Sequence, residues 1–207
     1  GEAYERATQA AETALDQDAG LGEAYASLAE ARFRLGPDDE EVEPLFRRAR
    51  QLAPDYAMGR YWYGMYLSAY GRQQEALAEV HRAHQLAPLN LRIQVDLGAV
   101  FWLAGDKEAG RRLIEEALTL DDRSQKIHLS VGWLEWREDH LERAAAAFRR
   151  AVELSPEVGL HRARLDELAA AQGPIDEIHV AAWRDLALES VRCQRSFEEA
   201  ATALPVG

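Results

Sequence analysis

A 34-residue spacing between equivalent residues is the feature that most constrains the fold of this 207-residue chain. Pro54 and Pro88 are 34 residues apart, Pro156 follows Pro88 after twice that distance, and Asp122 occupies the place between them. An alanine stands five residues before each of these four positions, and a leucine stands two residues before each. Glycines recur with the same spacing, at Gly64, Gly98 and Gly132. Self-similarity at a fixed period of this length is typical of stacked supersecondary units, so the sequence predicts an array of repeats.

Each repeat is predicted to contain two helices. Apolar residues follow helical spacing from residue 57 to about residue 69, and again from about residue 73 to residue 86. Gly71 separates the two segments, and Pro88 ends the second because proline cannot continue a helix interior. Gly64 is predicted to lie where the two helices approach closely, since a larger side chain would push their backbones apart.

The pattern resembles the tetratricopeptide repeat (TPR), a 34-residue framework of Leu-Gly, Tyr, Ala, Phe, Ala and Pro. The copy that fits best contains Tyr63, Gly64, Leu67, Ala76, Val80, Ala83 and Pro88. Glu135 departs from the framework because it stands where the family has an aromatic residue. The resemblance covers about residues 2–175 and implies an all-α fold, a right-handed superhelical solenoid of antiparallel helix pairs. The expected single solenoid has a truncated leading half-repeat at 2–19, whole repeats at 22–54, 57–88, 91–122 and 125–156, and a partial repeat with capping helices at 159–207.

The resemblance also implies a concave face, lined by the first helix of each repeat, that binds extended or helical peptides. The family's groove positions, transferred to this sequence, define the groove set: Met58, Tyr61, Trp62, Met65, Arg92, Val95, Asp96, Trp102, Lys126, Leu129, Trp133, Trp136 and Arg137. Four of the five tryptophans of the chain belong to this set. Aromatic residues near arginine and lysine are typical of binding hot spots, so we predict a protein or peptide partner held by apolar anchors. The alternative is that these aromatic residues only pack against neighbouring helices.

Charge and motifs argue against several other functions. The formal net charge of −12 disfavours nucleic acid and anionic membrane as partners, because both would be repelled on average. No nucleotide-binding, nucleophile-elbow or zinc-protease motif occurs, so we predict a non-enzymatic protein without a cofactor. Cys193 alone cannot build a cysteine-based zinc site, and His81 and His84 have no obvious third ligand, so no metal is predicted.

The surroundings of the chain are predicted from weaker signals. The sequence starts without methionine and in mid-pattern, which favours a piece of a longer protein. Residues 41–49, 61–64 and 86–90 are loosely similar to repeat regions attached to bacterial winged-helix regulators, adenylate cyclases and kinases, which implies a regulatory or sensor role. The single thiol favours the reducing cytoplasm, with the periplasm left open if the full-length protein is membrane-anchored. No run is apolar enough to predict direct contact with a membrane.

The sequence is also compatible with two other functions. The first is self-association into a homo-oligomer, in which residues 190–207 or the truncated first helix would dock onto another copy. The second is a small-molecule sensor that uses the aromatic groove as a pocket, with Arg92 and Asp96 as its polar groups.

Overall fold

Residues 1–36 and 40–154, the part of the chain that the computed structural model describes, contain nine α-helices and no strand. The helices are α1 (Glu2–Gln17), α2 (Gly22–Leu35), α3 (Val42–Leu52), α4 (Ala57–Ala69), α5 (Gln73–Leu86), α6 (Leu91–Leu103), α7 (Lys107–Leu120), α8 (Gln125–Arg137) and α9 (Leu141–Leu154). In the described residues, α1 packs against α2, and the other eight helices pack as consecutive pairs: α2 with α3, α4 with α5, α6 with α7 and α8 with α9. The division into a leading half-repeat and four whole repeats stays a prediction. The prediction of an all-α helical repeat is therefore confirmed. Residues 155–156 of the last repeat and the partial repeat expected at 159–207 lie outside the described residues.

The helices are short, because each repeat alternates helix with turn. The longest of them in the described residues, α1, has 16 residues, and the shortest, α3, has 11. No helix in this part of the chain combines the length and the apolar character that crossing a bilayer requires.

The turn inside three of the helix pairs has the same backbone conformation. Gly71, Gly105 and Asp139 all have positive φ, at 75°, 104° and 63°. In each turn, the backbone N–H of the residue after this position donates to the carbonyl five residues earlier in the chain: Arg72 to Leu67 (3.0 Å), Asp106 to Phe101 (3.0 Å) and His140 to Glu135 (2.8 Å). This left-handed C-terminal motif satisfies carbonyls that the helix end would leave without partners. The first helices therefore end at fixed, equivalent positions.

Side-chain caps fix two helix starts in the third whole repeat. The Asn90 side chain accepts a hydrogen bond from the Ile93 N–H at 3.3 Å, and the Asp106 side chain accepts one from the Ala109 N–H at 3.0 Å. Each cap satisfies a backbone donor of the first helical turn. Helices α6 and α7 accordingly begin at the residues that follow these caps.

Small residues let the two helices of a pair approach closely, as predicted for Gly64. A Cβ atom on Gly64 would lie 3.1 Å from the Val80 nitrogen. The approach is closer still between α6 and α7: a Cβ on Gly98 would lie 2.8 Å from the Gly110 carbonyl oxygen, and one on Gly110 would lie 2.5 Å from the Gly98 carbonyl oxygen. Gly110 stands where the neighbouring repeats have alanine, and this contact explains why the third repeat needs a smaller residue.

The described residues belong to two compact units, one within Gly1–Leu86 and the other beginning at Ala87. Aromatic rings dominate the first core: Phe46 stacks on Tyr63 at 5.4 Å between ring centroids, and Phe33 meets Tyr66 edge-on at 5.3 Å. The second core contains Val95, Trp102, Ile114, Ala117, Ile127 and Leu134. Each unit thus has its own hydrophobic core, and the single solenoid remains a prediction.

Candidate peptide-binding surface

In the first unit, the groove set lies on α4. Met58, Trp62 and Met65 are partly buried and follow one another at intervals of four and three residues, which places them on one helix face. Trp62 packs edge-on against Tyr56, with 6.2 Å between ring centroids. Tyr61 is buried, with 3% of its surface exposed. Three of the four predicted residues on α4 therefore keep some accessible apolar surface.

In the second unit, the groove set divides between α6 and α8. On α6, Arg92 is exposed, whereas Val95, Asp96 and Trp102 are buried. On α8, every member is partly exposed: Lys126, Leu129, Trp133, Trp136 and Arg137. The accessible members of the set in this unit are therefore concentrated on α8.

An ion pair joins the two helices of the second unit that carry the groove set. Lys126 Nζ lies 2.8 Å from Asp96 Oδ1, and the Asp96 side chain is 5% exposed while that of Lys126 is 42% exposed. A carboxylate this deeply buried requires a charged or hydrogen-bonded partner. Asp96 therefore serves the packing of α6 against α8, and the Lys126 ammonium is largely committed to it.

Trp133 and Trp136 form a fixed aromatic pair on α8. Their ring centroids are 4.9 Å apart with 64° between the planes, and Trp133 also meets Phe148 of α9 at 6.3 Å and 90°. Edge-to-face contacts of this kind stabilise each ring beyond simple area burial. The pair is thus a positioned apolar surface, supported from within the same repeat.

Trp102 occupies a different environment, inside the core of the second unit. It is 9% exposed and packs with Val95, Ile114 and Leu134. Two cations lie against its ring: Arg137 Cζ is 4.3 Å and Lys107 Nζ is 4.8 Å from the ring centroid. Cation–π contacts of this length are favourable, particularly where water is excluded. Burial lowers the pKa of Arg137 from its ordinary value.

Comparison with known proteins identifies the fold. No family model matches the sequence, and no curated protein matches it. Among solved structures, TTC0263, a thermophilic TPR protein of Thermus thermophilus, superposes with a TM-score of 0.71 at 21% identity, over 81% of this chain and 91% of that one. The chain has a TPR-like fold.

Two further structures extend the likeness. MamA of Desulfovibrio magneticus RS-1 superposes with a TM-score of 0.56 at 18% identity, over 85% of this chain and 96% of that one. Human IFIT1, solved as a dimer with m7Gppp-AAAA, gives a TM-score of 0.70 at 18% identity, and the match covers 93% of this chain but 46% of IFIT1. At these identities the comparisons establish the TPR-like fold alone.

Two buried ionic clusters of the TPR-like fold were not predicted from the sequence. Glu79 of α5 pairs with Arg50 of α3 at 2.7 Å and with Arg60 of α4 at 2.8 Å. Such pairs join side chains that are 29 and 19 residues apart, so local spacing does not reveal them. The described residues contain no group of three or more His, Cys, Asp or Glu side chains placed to hold a metal ion.

The second cluster centres on Glu135 of α8. Its carboxylate accepts hydrogen bonds from Arg111 of α7 at 2.7 Å and from His140 at 2.8 Å. Burial is the largest single influence and raises the pKa of Glu135. The hydrogen bonds from Arg111 and His140 and the electrostatic attraction to them together lower it by more, so the pKa lies below its ordinary value. The one sequence signal for this cluster was the presence of a carboxylate at an aromatic position of the TPR framework.

Proposed function

We propose that this chain is a non-enzymatic interaction module, in which the first helix of a repeat provides the surface that binds a segment of a partner protein. The observation that carries the proposal is the Trp133–Trp136 pair: two indole rings that are held in place yet partly exposed on α8. Aromatic anchors that are rigid before binding lose little conformational entropy when a partner covers them. Trp62, Met58 and Met65 offer a second accessible apolar face on α4.

The size of the exposed anchors is sufficient for useful affinity. A tryptophan contributes roughly 150–250 Å² of surface, and covering about half of one ring stabilises a complex by about 2–3 kcal/mol. Two such rings in contact therefore account for a binding hot spot of the usual strength.

The proposed roles within the groove set follow burial. The accessible members contact the partner, with Leu129 and the tryptophans as apolar contacts and Arg92 as a rim charge. The buried members, Tyr61, Val95, Asp96 and Trp102, hold the helices that present this surface. The loose similarity to bacterial regulators favours a module that belongs to a larger regulatory protein.

A protein partner fits the charge better than RNA does. The IFIT1 structure was solved with m7Gppp-AAAA, but the present chain has a net charge of −12. Since nucleic-acid affinity depends mainly on neutralising phosphates with basic residues, an acidic surface opposes it.

The proposal is tested by selecting binders from a display library of random peptides. Wild-type protein is expected to enrich a shared sequence pattern. Trp133→Ala and Trp136→Ala are each expected to weaken binding of the enriched peptides at least about tenfold, in line with loss of a hot-spot side chain. Leu120→Ala is the control, because Leu120 is an apolar residue of the same unit that is 70% exposed and outside the groove set.

Two results would overturn the proposal. One is a wild-type protein that enriches no peptide. The other is equal binding of the selected peptides by wild type and both tryptophan variants, with each variant shown to be helical by circular dichroism.

A further inference from the structure

Trp62 of the groove set forms an aromatic corner with Tyr56, the residue that precedes α4. The two ring centroids are 6.2 Å apart, and the ring planes meet at 78°. Both side chains are partly exposed. Two rings that stand nearly at right angles border a corner, and the electron-rich face of an aromatic ring attracts a cation.

The position of the Tyr56 ring is fixed by a glycine. A Cβ atom on Gly59 would lie 2.9 Å from Tyr56 Cδ1 and 3.1 Å from the Cβ of Ala26 in α2. The absence of a side chain at Gly59 therefore lets the tyrosine ring lie against the backbone of α4, close to α2. Because the ring is positioned before a ligand arrives, little conformational entropy is lost on binding.

Glu23 adds a negative charge beside the aromatic corner. It precedes Ala26 by three residues, which places both on one face of α2. Burial raises the pKa of the Tyr56 hydroxyl, and the negative charge of Glu23 raises it further. Glu23 is exposed and forms no ion pair with the described residues, whereas Glu30, the other acid of α2, pairs with Arg34 at 2.7 Å. The Glu23 carboxylate is therefore available to a cation from outside.

The aromatic corner has no cation of its own within the described residues. Two other rings of this unit do have one: Arg34 Cζ lies 6.0 Å from the ring centroid of Phe33, and Arg50 Cζ lies 5.7 Å from that of Tyr63. Residues 1–86 carry 9 Lys and Arg against 15 Asp and Glu, a net charge of −6. A cationic group that approaches this unit is therefore attracted by the unit as a whole as well as by the corner.

We propose that the aromatic corner of Trp62 and Tyr56, together with Glu23, binds a lysine or arginine side chain of the partner segment. This assignment rests on the proposed function, because it names the chemistry that the accessible face of α4 selects. Met58 and Met65 lie on the same helix face as Trp62. The expected partner segment therefore combines a basic residue with an apolar residue that is close to it in sequence and covers the methionines.

Two attractions account for the expected selectivity. A cation that lies over the tryptophan or tyrosine ring gains cation–π energy, and the exposed carboxylate attracts the same cation. A neutral side chain of similar length keeps the apolar contacts and loses both attractions. Replacing the basic residue of the ligand with glutamine is therefore expected to weaken binding at least about fivefold.

The test begins with the same random-peptide selection, read out by the residue types that it enriches. Wild type is expected to enrich Lys or Arg at one position of a shared pattern. Glu23→Gln and Trp62→Leu are each expected to weaken the enrichment of this basic position. Glu5→Gln is the matched control, because it removes an exposed carboxylate from the first turn of α1; it is expected to keep the wild-type pattern.

A ratio of two affinities separates ligand binding from folding. Each variant is titrated with one enriched peptide and with the form of that peptide in which glutamine replaces the basic residue. A variant with a loosened fold binds both peptides less tightly and keeps the wild-type ratio. Loss of the cation site lowers the ratio towards one, and we expect this for Glu23→Gln, Trp62→Leu and Tyr56→Leu.

The possible outcomes distinguish this proposal from the function on which it rests. Failure of every selection would overturn the proposed function. Enriched patterns without a basic position, or a wild-type ratio in all three site variants, would overturn the cation site and leave peptide binding intact. A ratio that falls equally in Glu5→Gln would also overturn it, because the preference would then come from the general negative charge of the unit.

Discussion

Single residues set the helix ends of this repeat, and the left-handed turn position shows how. Gly71 and Gly105 adopt positive φ without cost, because glycine has no Cβ to clash with the backbone. The same position in the fourth whole repeat holds Asp139 at φ 63°. Aspartate tolerates this region better than most residues, but it is still strained relative to glycine. The repeat therefore keeps the conformation even where the residue type is not ideal.

We expect Asp139→Gly to stabilise the protein and Gly105→Ala to destabilise it. Each change should alter the free energy of unfolding by about 1 kcal/mol, since this is the approximate cost of the left-handed conformation for a residue with a Cβ. Urea denaturation of the two variants and wild type measures the effect. Changes of the same sign in both variants would contradict this explanation.

At the residue scale, a feature could be predicted from the sequence only where the residues that determine it lie close together in the chain. Helix bounds followed from glycine, proline and apolar spacing, all of which act within a few residues. The burial of Trp102 did not, because its groove position on α6 gives no indication that Arg137 and Lys107, from two other helices, cover the ring. The same reasoning applies to Glu79, whose arginine partners lie 19 and 29 residues away.

Helices are joined across repeats by buried carboxylates, and Glu135 is the example in the second unit. It links α8 to Arg111 of α7 and to His140 of the following turn. Its pKa is lowered in the folded protein, so its ionised form contributes stability above the ordinary carboxyl pKa of 4.5. That stability is lost as the pH falls through the folded-state value.

We therefore expect wild type to lose stability between about pH 5 and pH 3 more steeply than Glu135→Gln does. When wild type unfolds in acid, the Glu135 carboxylate takes up a proton, which makes its stability depend on pH. The glutamine amide cannot ionise, so the variant lacks this contribution. Melting temperatures recorded across this pH range measure the slope. Glu142→Gln removes an exposed carboxylate of α9 and should keep the wild-type slope; equal slopes for wild type and Glu135→Gln would contradict the assignment.

At the scale of the whole molecule, packing in the described residues is local in sequence. The main helix pairings join neighbours or next neighbours, such as α4 with α5, α6 with α7, and α6 with α8. In repeat proteins with such packing, stability is close to a sum of repeat and interface contributions. Damage to one core should therefore spread mainly to the adjacent repeats.

Ile114→Ala, which removes a side chain that is 1% exposed from the core of the second unit, is expected to destabilise that unit by about 2–5 kcal/mol. Hydrogen exchange followed by mass spectrometry should show faster exchange in α6–α9 and nearly unchanged exchange in α2 and α3. Phe46→Ala, in the core of the first unit, is the complementary variant. It should give faster exchange in the first unit and nearly unchanged exchange in the second. Equal acceleration throughout in both variants would show one cooperative molecule instead.

The contact between Gly98 and Gly110 has a mechanical consequence for the second unit. With backbone against backbone and no side chain between them, α6 and α7 cannot slide or tilt without a direct collision of peptide groups. The α6–α7 hairpin should then move as a rigid body. A conformational change of this unit on partner binding would therefore occur between the α6–α7 hairpin and the α8–α9 hairpin.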